Sequence, residues 1–460
     1  MASAATSPIS DPDVWWVAAA GREMGSSGTV PRVNLFSYVE PLHPWIMHEW
    51  LLGPIYAAGL SRLGPSFFTL VAIATLATGS WLVLSLTVGR ARRERVGYAA
   101  ALVCLACFSS RLLTARPTGV ALLLPLAMAL VAFRPRFSRR AILTAVLVEA
   151  AWTNVHGSFP LGVALLLVSA TLPEDRGKRV AAAALASVAT LLNPYGLALH
   201  RFVLGYFLGT EGVYHAINAH IREFQSVVGA YGATVGPMDL VGWALVAGLA
   251  LLALRSPAYR ARAAFCLLLL AGALRQARHL ELAGLLGAAL LVPYLDELVG
   301  GARDRSEAWR RRFVIAVTAA ATAVGLVAFA VERRTRTERE WIDNGTDFLA
   351  ALDTVPDGAR LYVPFPRAGL AIWYGWPRGI RVFFDPRNDC YSEETFVTFM
   401  SLGDPTTPPS RIASVFASTG TNAVLASASH RVVQWALRSP AFRATKGTGF
   451  FRAYSAGNNP

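Results

Sequence analysis

"SFFTLVAIATLATGSWLVLSLTVG", residues 66–89, contains no ionisable side chain, and "RARRER", residues 90–95, follows it directly. An apolar run of that length crosses the ~30 Å core of a bilayer as a helix. Arginines crowded behind it mark a loop held at the membrane surface. The pairing recurs along the chain. Pro117–Phe133, Leu240–Leu254 with its flanks, His279–Leu295 and Phe313–Val331 have the same composition. Val96–Leu113, Ala141–Trp152, Gly157–Leu172, Val180–Leu192 and Ala261–Leu274 are shorter, but too apolar for loops. The pattern predicts about ten membrane helices, hence a mainly α, polytopic helical membrane protein.

Composition points the same way. Of 460 residues, 54% are apolar and 16% charged, where a soluble chain carries about a quarter charged. The net charge of +14 would suit nucleic acid if the arginines shared one face. They lie between apolar spans instead, so no nucleic-acid partner is expected. Cys104 and Cys107 sit in an apolar "CLAC" with no further ligands in view, and read as small residues packed between helices. Cys266 is also embedded and Cys390 stands alone in the tail, so no disulfide framework is implied.

Every second loop is strongly basic: Arg90, Arg92, Arg93 and Arg95; Arg134, Arg136, Arg139 and Arg140; Arg176, Lys178 and Arg179; Arg255, Arg260 and Arg262; Arg303, Arg305, Arg310, Arg311 and Arg312. These loops are expected on the cytoplasmic side. Glu332–Glu340 runs against the pattern, with four arginines on what should be the outer side. The alternate loops carry Asp11, Asp13, His48, Glu49, Arg116, Asn154, His156, Asn193, Tyr195, Arg222, Glu223, Arg275, Arg278 and His279. Ionisable groups at span ends are costly unless they meet water, a partner or a ligand. Their common side predicts one polar site at the outer surface.

Three regions follow: 1–65, an outer loop with interfacial helices; 66–331, the membrane domain; and 332–460, an extracytoplasmic α/β domain. Residues 1–10 have no signal-peptide pattern. Placing 1–65 outside therefore predicts a further membrane helix before Met1, or a start set too late. Trp15, Trp16, Trp45 and Trp50 suit a membrane interface, and Trp50–Leu63 reads as a helix lying along it. In the tail, "ARLYVPFP", "IRVFFDP" and "NAVLAS" read as strands. "WIDNGTDFLAALDTV" and "HRVVQWALRSPAF" read as helices, the first capped by Asp343 or Asn344. Asp385 and Arg387 follow a strand end, which suits either binding or a salt-bridged turn.

Read in order, "DPDVWWVAAAGREMGSSGTVPRVNLFSYV", "PWIMHEWLLGPIYAAGL", "TARPTGV", "TNVHGSFPLGV", "LLNPYG", "RQARHLELAGLLGAALL" and "RVFFDPRNDCY" resemble bacterial polytopic proteins of the C-type glycosyltransferase superfamily. The resemblance spans nearly the full length. It implies an integral membrane glycosyltransferase using a polyprenyl-phosphate-linked sugar at the outer face of the bacterial cytoplasmic membrane. The implied partners are that donor, membrane lipid and an unidentified glycan or protein acceptor of the cell envelope. No cofactor is fixed, and a divalent cation is compatible with the pattern. The expected base is an aspartate of the first outer loop, which here is Asp11 or Asp13. Where the family has histidine after the two tryptophans this chain has Val17, the tail D-G-R is Asp385-Pro386-Arg387, and the family's first helix is not in the sequence.

Such chemistry needs a carboxylate to take the acceptor hydroxyl's proton. On an extended segment Asp11 and Asp13 would project to one face, with Pro12 stiffening the pair; either could instead cap the helix starting near Val14. The departing phosphate needs cations that stay charged, for which Arg116, Arg275 and Arg278 are the candidates, Arg222 a weaker one. His48 and Glu49 read as an acid/base or hydrogen-bonded pair, and His156 as a further substrate contact. A non-catalytic binding or assembly subunit is the competing reading. A transporter or flippase ranks below both, because charges cluster at span ends rather than mid-plane.

Overall fold

The computed structural model describes residues 6–91, 93–108, 115–209, 213–232, 235–300, 306–445 and 451–456. The chain is mainly helical with one small sheet. Chain contacts divide it into two compact units. One comprises 69–203 and 221–331 with the first residues; the other joins 7–68, 204–220 and 332–460.

In the first unit apolar helices follow one another. Among the described residues three helices are long and apolar enough to cross a membrane, Ser66–Leu86, Ala277–Val299 and Glu307–Thr335. The expected count of ten is therefore not met by length and composition. Other apolar helices are shorter, 10–17 residues. Pro117–Phe133 breaks into Pro117–Ala121 and Leu123–Ala132, and Leu240–Leu254 belongs to a helix that starts only at Pro237. The end of the Val96–Leu113 run lies outside the described residues. The helix Glu307–Thr335 decides the solvent. Its most apolar window has a mean hydropathy of 2.4, yet only 11% of that window is buried. So long an exposed apolar surface is not sustained in water. This is a membrane protein.

The second unit folds the N-terminal segment and the tail together. The helix Asp13–Ser27 starts after Pro12 at φ −74° and ends where Gly28 adopts φ +69° and donates its N–H to the Met24 carbonyl. It packs on the helix Leu52–Leu63 and on the tail helix Phe365–Gly375. Gly21 lies directly against the Gly53 carbonyl, where a Cβ would collide with backbone. We expect Gly21→Ala to cost about 1–3 kcal/mol through overpacking. A thermal melt of the solubilised protein checks it; an unchanged midpoint would mean the two helices stand further apart.

The sheet runs in the order β2-β1-β3-β5-β4, with β1 Arg360–Tyr362, β2 Arg381–Val382, β3 Ala423–Ser427, β4 Phe442–Ala444 and β5 Phe451–Ala456. β2, β1 and β3 are parallel, with Leu361 opposite both Val382 and Ala423; β3, β5 and β4 are antiparallel. The N-terminal segment extends the β2 edge. Val382 N–H donates to the Phe36 carbonyl at 2.9 Å, and Tyr38 N–H to that of Val382 at 3.3 Å. The first tail helix is Gly345–Leu352. Asn344 precedes it in a left-handed conformation without a side-chain cap, because Asp343 is taken by Arg367 at 2.7 Å.

Trp15, Trp16 and Trp45 are 2%, 5% and 2% exposed. They are core side chains, not interfacial ones. Trp15 meets Phe68 and Trp16 meets Trp45 edge to face. Burying such rings against one another removes more apolar area from water than a headgroup layer would.

Candidate functional site

In the second unit the two aspartates do not lie on an extended segment. Pro12 is helical, so Asp13 becomes the first residue of its helix. The Asp11 carboxylate accepts from Asp13 N–H at 2.9 Å, and the Asp13 carboxylate accepts from the Trp16 indole at 3.1 Å. Asp11 thus satisfies one of the unpaired N–H groups that open a helix, and the pair no longer shares one face by strand alternation. Both remain partly exposed.

His48 and Glu49 form a close pair, Nε2 to Oε1 at 3.0 Å, with Glu49 the more buried. Asp389 of the tail acts electrostatically on the same imidazole. Burial pulls His48 down, but the Glu49 carboxylate and Asp389 outweigh it and hold the ring up to about 8. Burial, reinforced by Glu49, pushes Asp389 up to about 6 although His48 opposes it. The buried Tyr56 hydroxyl is raised by burial and by the charges of Asp11 and Glu49. The first loop and the His-Glu pair therefore belong to one acidic neighbourhood. Nothing local in the sequence marks Tyr56 or Asp389 as members of it.

A pH dependence follows. A histidine raised in the folded state stabilises it fully below the ordinary value near 6.5, and that contribution is lost as pH rises through about 8. Asp389, also raised, contributes in the acid range and loses its share by about pH 6. Of these two groups only His48 titrates between pH 6.5 and 8, so its share of the slope is the one His48→Gln removes. We expect the melting temperature of the wild type to fall across that window and His48→Gln to flatten it. Parallel curves for both proteins would remove the pairing.

The tail motif forms a salt-bridged turn. Asp385 and Arg387 are both buried, joined at 2.7–2.8 Å through Nη2 and Nε. Asn34 accepts from the same guanidinium at 2.7 Å, and the Tyr391 hydroxyl donates to Asp385. The rings of Phe36 and Trp45 lie 4.8 and 4.6 Å from the Arg387 carbon. Arg387 stays charged, because Asp385 outweighs the burial that would lower it. Arg387 Nη1 is buried without a hydrogen-bond partner among the described residues, and the rest of the pair fastens residues 34–45 to the tail.

In the first unit three distant loops meet. Arg116 makes a two-pronged ion pair with Glu223, both bonds 3.1 Å. Ala277 N–H donates to the Gln225 carbonyl at 2.9 Å. The Arg278 guanidinium lies 4.3 Å above the Phe224 ring. Arg275 is exposed and makes no ion pair with the described residues, while Arg222 donates to the Gly229 carbonyl at 3.2 Å. Arg116, Arg222, Arg275 and Arg278, expected together on chemistry, thus gather on the loops 221–226 and 275–279 and the helix start at 116. Arg116 is the exception as a phosphate ligand, since its fork is already occupied by a carboxylate. His156 is held within its own turn by Ser158 at 2.9 Å, and Asn154 donates to the Leu192 carbonyl at 2.8 Å. Asn193 and Tyr195 shape a turn, Tyr195 N–H to the Asn193 side chain at 2.8 Å.

Among the described residues no group of three or more His, Cys, Asp or Glu is arranged to hold a metal ion. Comparison with known proteins matches no family model and no curated protein. Among solved structures, the chain is similar to an oligosaccharyltransferase from Archaeoglobus fulgidus crystallised with zinc and sulfate. The TM-score is 0.44 at 10% identity, over 98% of this chain and 70% of that one. Likeness at that level fixes neither family nor activity.

Proposed function

We propose that this chain is an integral membrane glycosyltransferase, transferring a sugar with inversion from a polyprenyl phosphate at the outer face of a bacterial cytoplasmic membrane. The observation that carries the reading is the meeting of loops 221–226 and 275–279 beside Arg116, which gathers guanidiniums from separate helix ends. The sequence resemblance to C-type glycosyltransferases supports the same reading. Asp11 or Asp13 takes the proton of the acceptor hydroxyl as its oxygen attacks the anomeric carbon. The bond from that carbon to the phosphate oxygen breaks, and Arg275 and Arg278 bind the departing lipid phosphate, which guanidiniums do without losing charge. Glu49 and His48 form a hydrogen-bonded ion pair in the neighbourhood that Tyr56 shares with Asp11.

The shorter apolar helices line the membrane domain in this reading. Leu143, Leu147, Leu185, Leu245, Leu251 and Leu268 are 52–71% exposed on them, which suits lipid contact. Sugar transfer by the purified protein in liposomes, with asparagine at each aspartate in turn, tests the assignment.

A second reading has one specific observation behind it. Val17, where the resembling family carries histidine, is fully buried. A core position there favours a non-catalytic binding or assembly subunit of envelope polysaccharide synthesis. That reading expects no transfer by the wild type at all.

A further inference from the structure

The basic loops at the other ends of the apolar helices converge on the C-terminus of the helix Leu123–Ala132. Arg90 Nη2 donates to the Ala129 and Leu130 carbonyls, both at 3.1 Å. Arg179 donates to the carbonyls of Ala132, of Arg134 at 2.7 Å and of Glu174 at 3.0 Å. These two side chains satisfy the open carbonyls and the negative dipole end of that helix. Arg179 is 1% exposed.

Two further cations stand beside them without such a role. The Arg262 guanidinium lies 4.8 Å from the Phe133 ring and 5.3 Å from Tyr259, and its buried Nε has no hydrogen-bond partner. Arg134 is exposed. Arg90 feels the repulsion of both Arg262 and Arg134, and Arg262 that of Arg179. The nearby carboxylates are engaged elsewhere. Asp175 accepts from Phe137 N–H at 2.8 Å and from Lys178 at 2.6 Å, and Glu297 from the Tyr259 hydroxyl at 2.6 Å. Asp175 and Glu174 attract Arg179, and Glu297 attracts Arg262. Four guanidiniums thus share one helix end, and among the described residues none of them is in a salt bridge.

We propose that this cluster binds the phosphate of an anionic phospholipid headgroup, with Arg262 and Arg134 as its ligands and Arg90 and Arg179 as the fixed frame. Helices ending in a membrane place that frame at headgroup depth, and basic recesses between membrane helices suit such headgroups. A guanidinium fork with free donors and an aromatic floor matches phosphate oxygens. The assignment is independent of the glycosyltransferase reading, since its residues belong to the opposite loops.

The full-length protein in detergent, titrated with phosphatidylglycerol or phosphatidylcholine and read by native mass spectrometry, tests it. We expect one phosphatidylglycerol retained in preference to phosphatidylcholine, with 10 mM inorganic phosphate failing to displace it. Arg134→Gln, an exposed substitution that leaves the frame intact, should weaken retention about fivefold, and Arg134→Gln with Arg262→Gln further. Equal retention of the two lipids, displacement by inorganic phosphate, or unchanged retention in Arg134→Gln would each overturn the proposal.

Discussion

Arg387→Leu should lower the stability of the tail unit by about 3–5 kcal/mol, the usual cost of leaving one buried charge without its partner. In that variant Asp385 would be 0% exposed with only the Tyr391 hydroxyl and the Arg387 backbone N–H directed at it. The loop 34–45 would also lose its anchor, because Asn34 and the rings of Phe36 and Trp45 close on the guanidinium. Replacing both partners, Asp385→Leu with Arg387→Met, removes the uncompensated charge and should recover much of the loss. Thermal melts followed by tryptophan fluorescence suit the test, since Trp45 lies at the pair. A single variant as stable as the wild type, or a double variant worse than either single, would contradict a buried ion pair at this point.

The second large effect is on chemistry. Of Asp11→Asn and Asp13→Asn, one should lower sugar transfer by about 10²–10⁴-fold, the usual contribution of a positioned base. The other should leave the rate within a small factor. Asparagine keeps an acceptor oxygen in both places, so the contacts to Asp13 N–H and to the Trp16 indole survive and folding is not the cause of the loss. Equal, unimpaired rates in both variants would exclude a base in the first loop.

Much of this architecture was legible before any coordinates. The alternation of apolar runs and arginine loops gives a membrane protein, and the exposed apolar helix Glu307–Thr335 agrees. The run-by-run count did not transfer, because an apolar run does not fix the length of its helix: Pro237–Ala253 is apolar but 17 residues long. In the tail, β1, β2, β3 and the helices at Gly345 and Arg431 match the apolar segments read as such. The strands Phe442–Ala444 and Phe451–Ala456 were missed. "FFRAYSA" does carry a strand's alternation, with Phe451 and Ala453 buried and Arg452 half-buried between them, but a single short period-2 run is a weak signal.

For the site, chemistry was readable and pairing was not. The arginines of 222, 275 and 278 were nameable from their positions at span ends. That Arg116 would engage Glu223 depends on which loops the fold brings together, whereas the Asp385–Arg387 pair is the salt-bridged turn the sequence allows. The tryptophans show the same limit: amphipathic rings suit an interface in isolation, but here they found one another first.

Side-specific labelling puts the account to its most direct test. Single cysteines at the exposed positions Ser26, Arg275 and Arg255, in a background with the native cysteines replaced, would be treated on intact cells with a membrane-impermeant maleimide. Ser26→Cys and Arg275→Cys should react from outside, while Arg255→Cys should react only after permeabilisation. Labelling of positions 26 and 275 from opposite sides would contradict it.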